Sequence, residues 1–330
     1  MWCRTAISCI SCLMYRLAAI LMLFMGVQVL RAERPDSLLV MFWNLENFFD
    51  YRNDSTSVSD EEFSAAGVRH WNKNLFETKC RAVAKSVLWV GSDKGRLPDV
   101  IGVAEVENEW VLRHLVEETA LRKAGYRVVH FDSPDVRGID VGLLYRGEVW
   151  EKVDAGPVRM PFATRDILSV QLRHRGDRRI WSFLVNHFPS KYGGAEESLK
   201  RRRVTAGRLK AVGDSLAVMD DSLVVAMGDF NDTPDSEAFE GLEGTFVNMG
   251  RDLHRRGEGS IRFEGKWELI DMFFVPASLS ERCGMSLVKI PFLLTRDTVN
   301  AGEKPLRTYT GPRYSGGVSD HLPILLEVRL

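Results

Sequence analysis

The sequence contains few cysteines and prolines and has no excess of either charge. Its 330 residues include 5 Cys and 12 Pro, and 44 Lys and Arg against 45 Asp and Glu give a formal net charge of −1. With 45% hydrophobic and 27% charged residues, the composition excludes disordered, collagen-like and coiled-coil chains. A chain of this length buries a large core without disulfides or structural metals. Without a basic excess, any contact with nucleic acid must come from a local patch.

A long uncharged apolar run is confined to the N-terminal region, at residues 17–30, after two arginines. Basic residues, an apolar centre of roughly 14 residues and then the small residue Ala32 are typical of a secretory signal peptide. An uncleaved membrane anchor is the alternative, although spanning a bilayer needs roughly 20 apolar residues. The sequence therefore predicts a signal peptide over residues 1–32, and a periplasmic or secreted mature protein.

Two cysteines, Cys80 and Cys283, remain once this leader is removed. In an oxidising compartment they either pair or stay as two separate buried thiols. Cys80 lies on the apolar face of a predicted helix, which favours separate thiols. A metal site built on two cysteines so far apart in sequence is not expected.

Beyond the leader, short apolar runs alternate with helical patterns. Residues 37–44 predict a buried strand, and residues 73–90 carry apolar side chains at helical spacing. The other strands are predicted at 99–106, 126–131, 139–145, 149–154, 167–174, 180–187, 223–228, 267–275 and 322–328, and the other helices at 109–123 and 198–218. Two polar segments are predicted as long loops: 251–266 and 295–317.

Several successive strands between residues 126 and 187 are joined by short turns only. Such an order implies antiparallel pairing in part of the structure and excludes a strict βαβ alternation. Two mixed β-sheets packed face to face, with helices outside, fit this order better than a single parallel sheet. We therefore expect one α/β domain over residues 33–330.

Acidic or amide side chains follow four of the apolar strands, at the point where each strand ends. A strand end is a rigid position from which a side chain projects into a cleft. Carboxylate and amide oxygens bind hard cations such as Mg²⁺, and a histidine beside an acid suits a general base. Each cluster alone has a structural explanation, such as a turn or a helix cap, but their joint occurrence favours a catalytic site. The residues are Asn44, Glu46, Glu105, Asp229, Asn231, Asp320 and His321.

Six segments that include these residues resemble motifs of the endonuclease/exonuclease/phosphatase superfamily, in the same order. The group contains pancreatic-type deoxyribonucleases, abasic-site endonucleases, sphingomyelinases and inositol-polyphosphate phosphatases. The resemblance implies a four-layer α/β sandwich and divalent-metal-dependent hydrolysis of phosphoesters. The segments are WNLENFF (43–49), GVAEVEN (102–108), NHFPS (186–190), GDFND (228–232), ELIDMFFV (268–275) and SDHLP (319–323).

The resemblance also implies which residues bind the metal ion. Glu105 matches the principal metal-binding glutamate of the family, and Asn44 beside it holds the acidic cluster. Glu46 falls where some members have a second acidic ligand, and Asp320 belongs to the same metal-binding set. The implied cofactor is Mg²⁺, with Mn²⁺ or Ca²⁺ as alternatives.

Six residues take catalytic roles by the same resemblance. Asp229 and Asn231 match the pair that positions the attacking water and the scissile phosphate. Asp320 orients His321, which contacts the phosphate or takes a proton from the water. The remaining two are His187, which matches a catalytic histidine of the deoxyribonucleases, and Asp271, which matches the aspartate that supports the opposite histidine.

Further residues are weaker candidates for contacts with the substrate, and each has a structural alternative. They are Arg137, Asp140, Ser190, Arg202 and Tyr309. The basic run at residues 200–203 suits a nucleic-acid backbone, or it is a solvated helix face balanced by Glu196 and Glu197. The histidines outside the motifs are expected at the surface or in packing: His70, His114, His130, His174 and His254.

The expected function is an exported nuclease that cleaves phosphodiester bonds by in-line attack of water, with nucleic acid as its substrate. The alternative is an inositol-phosphate phosphatase or a sphingomyelinase-like phosphodiesterase, which acts on a phosphorylated small molecule or a lipid headgroup. A non-catalytic binding protein on the same fold is a remote alternative. No protein partner is evident from the sequence, and a monomer is expected.

Overall fold

A computed structural model of the chain describes residues 37–54, 57–191, 194–218 and 223–330. The predicted signal peptide, residues 1–32, lies outside the described residues. Within the described part, no helix has the length and apolar character needed to cross a membrane.

The strands are numbered in chain order. They are β1 Ser37–Phe48, β2 Val100–Val106, β3 Tyr126–His130, β4 Asp140–Arg146, β5 Trp150–Val158, β6 Ile167–His174, β7 Ile180–His187, β8 Leu223–Asp229, β9 Val247–Asn248, β10 Ile261–Phe263, β11 Lys266–Glu268, β12 Asp271–Val275, β13 Cys283–Leu287, β14 Leu294–Arg296, β15 Glu303–Pro305, β16 Tyr309–Thr310, β17 Arg313–Tyr314 and β18 Ile324–Arg329. The α-helices are α1 Val58–Glu62, α2 Lys73–Asp93, α3 Glu109–Glu117, α4 Ala195–Ala217, α5 Arg251–Arg255 and α6 Ala277–Ser280, and short 3₁₀ helices cover Ala120–Lys123, Glu237–Leu242 and Pro291–Leu293.

Two six-stranded mixed sheets form the centre of the fold. The strand order is β13-β18-β1-β2-β4-β3 in the first sheet and β5-β6-β7-β8-β12-β9 in the second. Each sheet has one parallel pair at its middle, β1 with β2 and β7 with β8, while the other neighbouring strands run antiparallel. The predicted pair of mixed sheets is confirmed.

Strand β1 shows how the layers are joined. Val40 and Phe42 belong to the core between the two sheets, whereas Leu39 and Met41 on the opposite face pack beneath α2. Because side chains alternate along a strand and both faces are buried here, the segment is continuously apolar. Helix α4 covers the outer face of the second sheet through a third apolar cluster. The result is the predicted four-layer order of helix, sheet, sheet and helix.

The segments predicted as long loops contain short regular elements instead. Residues 251–266 include α5 and β10, and residues 295–317 include β15, β16 and β17. Strands of two or three residues are too short to show a period of two, so the sequence pattern missed them. The predicted strand at 267–275 is divided into β11 and β12. Strand β13 was also missed, because it is a partly exposed edge strand whose side chains do not alternate clearly.

The two cysteines of the described chain are separate thiols, as predicted. Cys80 lies on the buried face of α2, and burial raises the pKa of its thiol far above the usual range. Burial raises the pKa of Cys283 to about 11. Neither residue therefore supplies a reactive thiolate at neutral pH.

Candidate active site

The carboxyl ends of the two parallel strand pairs meet in one cleft. Asn44 of β1 donates from Nδ2 to Oε1 of Glu105 at the end of β2 (3.3 Å) and to Oδ2 of Asp229 at the end of β8 (3.0 Å). His187, the last residue of β7, places Nε2 3.6 Å from Asp229 Oδ2 and 3.9 Å from Glu105 Oε1. The side-chain oxygen of Asn44 accepts from the Glu46 backbone. Asn44 thus acts through its amide group, which holds one carboxylate from each sheet.

Four residues of this cleft have backbones in the left-handed region although none is glycine. The φ angles are 46° at Glu46, 49° at Asn47, 58° at Glu105 and 51° at Asn231. Strands β1 and β2 lose their regular register at the same places, and such bulges turn side chains away from the sheet. Each left-handed residue costs of order 1–3 kcal/mol, and such strain persists where the surrounding structure enforces it. The strain marks the strand ends as a functional cleft.

An acidic edge forms where β1 meets the loop before β18. Arg307 bridges two carboxylates, with Nε 3.0 Å from Glu46 Oε1 and Nη2 2.9 Å from Asp320 Oδ2. The Thr308 backbone donates to Glu46 Oε2 at 2.8 Å. Burial, with the nearby Asp320 carboxylate, raises the pKa of Glu46 to about 7. Two carboxylates, Glu46 and Asp320, thus lie side by side at this edge.

A buried lysine lies beneath the acidic edge. Lys79 of α2 is 1% exposed, and its Nζ donates to the Glu46 carbonyl oxygen (2.5 Å) and to Thr308 Oγ1 (2.9 Å). Burial lowers the pKa of Lys79 to about 8, although neighbouring carboxylates oppose this shift. Sequence reasoning missed Lys79, and the signal was its place on the apolar face of the helix, three residues after Phe76 and four before Val83.

His321 is held in a buried pair with an aspartate. Its Nδ1 lies 2.7 Å from Oδ2 of Asp271 on β12, and its Nε2 faces Asp229 Oδ2 at 3.8 Å. Burial by itself lowers the pKa of His321, but the carboxylates of Asp271, Asp229 and Asp320 together raise it well above the usual value. These carboxylates therefore favour the protonated form of the His321 imidazole.

His187 shows the opposite pKa shift. Burial, followed by the positive charges of Arg165 and Arg137, lowers the pKa of His187 well below its usual value. Its Nδ1 is buried and has no hydrogen-bond partner in the described structure. The pKa values of the two imidazoles that flank Asp229 are thus shifted in opposite directions, and such divergent pKa values are typical of acid–base sites.

Asp229 itself is fixed from several directions. The Asn231 backbone donates to Asp229 Oδ1 at 2.9 Å, and the Asn231 side chain donates to the Phe188 carbonyl oxygen at 2.9 Å. Burial, with Asp271 nearby, raises the pKa of Asp229 to about 7. The cleft therefore fixes the position of this carboxylate before any substrate binds.

Both the sequence and the fold of this chain resemble those of known proteins. A model described as "Endonuclease/Exonuclease/phosphatase family" matches residues 39–330. This chain belongs to that family. No curated protein sequence matches it significantly.

Solved structures with the same fold include three proteins of low sequence identity. D. rerio TDP2, complexed with a single-strand DNA product, is 13% identical with a TM-score of 0.54, covering 88% of this chain and 98% of that chain. The catalytic domain of human nocturnin is 14% identical with a TM-score of 0.57, covering 88% and 94%. A mannosyl-6-phosphatase of Bacteroides thetaiotaomicron is 15% identical with a TM-score of 0.55, covering 88% and 98%. At these identities the likeness concerns the fold.

The acidic edge fits the divalent cation that the family implies. Glu46, Glu105, Asp229 and Asp320 supply carboxylate oxygens, which are the ligands that Mg²⁺, Mn²⁺ and Ca²⁺ share. Burial is the main reason why the pKa values of Glu46 and Asp229 are raised, and a neighbouring carboxylate adds to each shift. A dication among them would lower both pKa values. The donor set does not identify the ion.

The prediction that Asp320 orients the His321 ring is wrong. Asp320 Oδ1 lies 3.9 Å from His321 Nε2, and its other oxygen pairs with Arg307. Asp271 orients the ring instead, from 50 residues earlier in the chain. Adjacent residues leave the backbone in different directions, so sequence adjacency to His321 did not identify its partner.

Two predicted substrate contacts are also corrected. Arg202 is 3% exposed and pairs with Asp232 at 2.9 Å, because the register of α4 turns it towards the protein. Its neighbours Arg201 and Arg203 pair with glutamates, which agrees with the solvated-face alternative for the basic run. Asp140 is 4% exposed and accepts from the backbone and side chain of Ser133, so it closes the β3–β4 loop.

The other three substrate candidates differ in position. Arg137 lies in the cleft, where Nη2 donates to Asn47 Oδ1 at 2.5 Å and lies 3.6 Å from Glu105 Oε2. Ser190 is exposed in the loop after β7. Tyr309 is 7% exposed and lines a cavity beside Glu46.

The five histidines outside the motifs lie away from the cleft. His114 packs against Trp110, with 4.9 Å between ring centroids, and His174 packs against Trp150 at 5.1 Å. The side chain of His130 is buried 3.5 Å from Asp140. His70 is exposed and His254 is partly exposed. The expectation of packing or surface roles fits this placement.

A buried ion pair fastens the loop that carries Arg137. Arg165 Nη1 lies 3.0 Å from Asp135 Oδ2, and both side chains are at most 8% exposed. Arg165 Nη2 donates to the Phe188 carbonyl oxygen, next to His187, at 2.7 Å. The other oxygen of Asp135 accepts from the Arg137 backbone at 3.0 Å. The pair therefore joins the Arg137 loop to the end of β7.

Asp135→Asn is expected to lower the free energy of unfolding by about 3–5 kcal/mol, because it leaves the Arg165 charge buried without its partner. Urea denaturation of the metal-free protein measures this change. Asp132→Asn, three residues earlier with a side chain 89% exposed, is the control and should shift stability by less than about 0.5 kcal/mol. Equal small effects of both substitutions would contradict a structural role for the pair.

Proposed function

We propose that this protein is an exported, divalent-metal-dependent phosphoester hydrolase that cleaves its substrate by in-line attack of water. The observation that carries the proposal is Asp229, buried between the imidazoles of His187 and His321, whose pKa values are shifted in opposite directions, beside an acidic edge. Membership of the endonuclease/exonuclease/phosphatase family supports the same reaction class. Export rests on the predicted signal peptide.

Glu46, Glu105 and Asp320 would hold the metal ion. When bound, the ion supplies positive charge that neutralises the phosphate and leaving-group oxygens. Two of these carboxylates already lie near each other, because Arg307 pairs with both Glu46 and Asp320.

The remaining residues of the cleft position the water and the phosphate. Asp229, fixed by Asn44 and Asn231, orients the attacking water and accepts its proton. His321 donates from Nε2 to a non-bridging phosphate oxygen, while Asp271 holds the ring from the other side. His187, kept neutral by burial, lies on the opposite side of Asp229 and completes the polar wall of the cleft.

Nuclease activity is the first substrate proposal, as the sequence resemblance favours it. The solved D. rerio TDP2 with a single-strand DNA product supports it through a shared fold. The basic run on α4 gives it no further support, because Arg202 is buried and Arg201 and Arg203 are paired.

Hydrolysis of a small phosphorylated compound is the second candidate, and a specific observation favours it. The cavity beside Glu46 has a volume of about 250 Å³, which is below the usual range of roughly 300–1,000 Å³ for drug-sized ligands. The mannosyl-6-phosphatase with the same fold agrees with a compact substrate.

A substrate panel tests the proposed function. Purified mature protein with Mg²⁺, Mn²⁺ or Ca²⁺ is offered plasmid DNA, single-stranded DNA, RNA, sugar phosphates, inositol phosphates and sphingomyelin. We expect hydrolysis of at least one class, and loss of that activity in EDTA with recovery on adding metal. Hydrolysis of none of them with any of the three metals would contradict the proposal.

The two imidazoles should titrate on opposite sides of the usual histidine pKa in metal-free protein. We expect NMR to show a pKa well below the unperturbed value of about 6.5 for His187 and a pKa well above it for His321. Since the folded pKa of His321 is raised, its protonation stabilises the fold below about pH 6.5, and that stability is lost as pH rises through the folded pKa. For His187 the folded pKa is depressed, so stability is lost as pH falls below about 6.5.

Asp271→Asn should lower the pKa of His321 and leave that of His187 nearly unchanged, because only His321 contacts Asp271. Imidazole titration in EDTA, with His321→Ala and His187→Asn proteins used to assign the signals, provides the measurement. Coincident titration of both rings near the usual value would contradict the assigned protonation states.

A further inference from the structure

A polar cavity adjoins the acidic edge and shares residues with it. Its volume is about 250 Å³. Glu46, Asn47 and Arg307 belong both to this cavity and to the edge, and the far wall is formed by Phe63, Arg69 and Tyr309. A group attached to a phosphate at the acidic edge therefore enters this cavity.

We propose that the cavity binds a single hydroxylated ring, the sugar or polyol that carries the phosphate ester, and that Arg69 determines this specificity. The inference rests on the proposed phosphoester hydrolysis and specifies its substrate. The ring comes either from a free sugar phosphate or from the ribose of a nucleotide, since both present the same neutral hydroxyl groups.

Arg69 is held rigidly at the wall of the cavity. Its Nε donates to Glu62 Oε1 at 2.7 Å, and its Nη1 donates to the Gly311 carbonyl oxygen. The guanidinium lies 5.1 Å from the centroid of the Tyr309 ring, and the Tyr309 hydroxyl donates to the Arg69 carbonyl oxygen at 2.8 Å. Nη2 donates to no group among the described residues, so it remains available to a ligand. A fixed donor of this kind gives directional recognition at low entropic cost.

The aromatic residues of the cavity do not offer a stacking surface. Phe63 is 5% and Tyr309 is 7% exposed. Their rings pack edge to face at 6.1 Å, and Phe63 also stacks on Phe49 at 4.9 Å. Proteins that bind single-stranded nucleic acid without sequence preference rely on exposed aromatic faces for the bases. The cavity therefore recognises hydroxyl groups by hydrogen bonds rather than a base by stacking.

The charges of the cavity favour neutral hydroxyls over a second phosphate. Arg69 is neutralised by Glu62, and Arg307 by Glu46 and Asp320. Both guanidinium groups thus offer hydrogen-bond donors without a net positive potential.

Steady-state kinetics on the mature protein with its activating metal tests the proposal. The substrates are glucose 6-phosphate, mannose 6-phosphate, ribose 5-phosphate, AMP, a 5′-phosphorylated oligonucleotide and p-nitrophenyl phosphate, which has no ring hydroxyl. Arg69→Gln should raise KM for the substrates that place their ring in the cavity by roughly 10- to 100-fold, as expected for one charged hydrogen bond. The kcat on those substrates should change less than about twofold, as expected when a substitution removes binding that is equal in the ground state and the transition state. For p-nitrophenyl phosphate, both KM and kcat should change less than about twofold.

Two further variants keep the outcome interpretable. Arg69→Lys retains the charge but loses the planar fork, and it should show the same KM selectivity to a smaller extent. Arg81→Gln, on the exposed face of α2 with a side chain 64% exposed, is the control and should match the wild type. Circular dichroism confirms folding of each variant. If Arg69→Gln does not fold, the KM selectivity of Arg69→Lys tests the proposal instead.

The outcomes separate this inference from the proposed function. A KM effect confined to hexose phosphates supports a free sugar phosphate as the source of the ring, and one confined to ribose compounds supports a nucleotide. Equal KM changes for all substrates, p-nitrophenyl phosphate included, would overturn the ring-binding cavity while phosphoester hydrolysis stands. Absence of metal-dependent hydrolysis of every substrate would overturn the proposed function itself.

Discussion

Glu105→Gln should reduce metal-dependent hydrolysis at least about 10²-fold, the usual cost of removing a preorganised electrostatic group from an active site, while the protein stays folded. The glutamate accepts from Asn44 Nδ2 at 3.3 Å and from the Asn47 backbone at 2.8 Å. Glutamine has nearly the same volume and retains one oxygen acceptor. The substitution therefore removes a negative charge from the acidic edge with little change in packing.

Calorimetric titration of Mg²⁺ into both proteins, together with turnover at saturating metal, measures this effect. Glu109→Gln is the matched control, because Glu109 lies four residues later with a side chain 48% exposed. We expect weaker Mg²⁺ binding and lost turnover in the Glu105 variant only. Wild-type metal affinity in a folded Glu105→Gln protein would remove this residue from the metal site.

Much of the cleft could be predicted because each functional residue follows a strand with a clear pattern. Asn44 and Glu105 end apolar runs that are buried on both faces, and the parallel pairing of β1 with β2 brings them together. The contact between Asn44 and Asp229 joins residues 185 positions apart. Only the packing of two sheets creates that contact, so strand patterns predict its residues but not its geometry.

The errors in the prediction concern buried charges. Lys79 and Arg202 lie on helices where basic residues usually face the solvent, yet both are at most 3% exposed. Each is buried because a partner elsewhere in the chain compensates it, a carbonyl and a hydroxyl for Lys79 and Asp232 for Arg202. Because such partners are distant in sequence, helical periodicity predicts the face of the helix on which a residue lies but not whether its charge is buried.

The pairing of His321 was predicted in part, since the family resemblance gave Asp271 as the aspartate that supports the histidine opposite His187. The aspartate next to it in sequence, Asp320, was predicted to orient the ring, but Asp271 of β12 does so. Asp271 reaches the ring from the second sheet, whereas Asp320 is directed towards Arg307. The carboxylate that supports the ring is therefore set by the packing of the two sheets.

His321→Ala should lower turnover by roughly 10²–10⁴-fold, the usual range for a general acid–base group, with little loss of metal affinity. Asp271→Asn should lower turnover less, because the ring remains but its charged form loses its main support. Since both residues act as one unit, the double variant should be no slower than His321→Ala alone. The high-pH limb of the rate profile should also move to lower pH in Asp271→Asn, because the pKa of His321 falls.

Asp320→Asn provides the contrast that separates the two aspartates. Its carboxylate pairs with Arg307 at the acidic edge and contributes less than Asp271 to the raised pKa of His321. This variant should therefore weaken Mg²⁺ binding and shift the pH profile at saturating Mg²⁺ less than Asp271→Asn does. Turnover, pH profile and thermal unfolding of the three single variants and the His321–Asp271 double variant supply the data. Additive losses for His321 and Asp271 would show that they do not act as one unit. Normal turnover in a folded His321→Ala protein would remove the histidine from the reaction, and the protonated imidazole beside Asp229 would then have only a structural role.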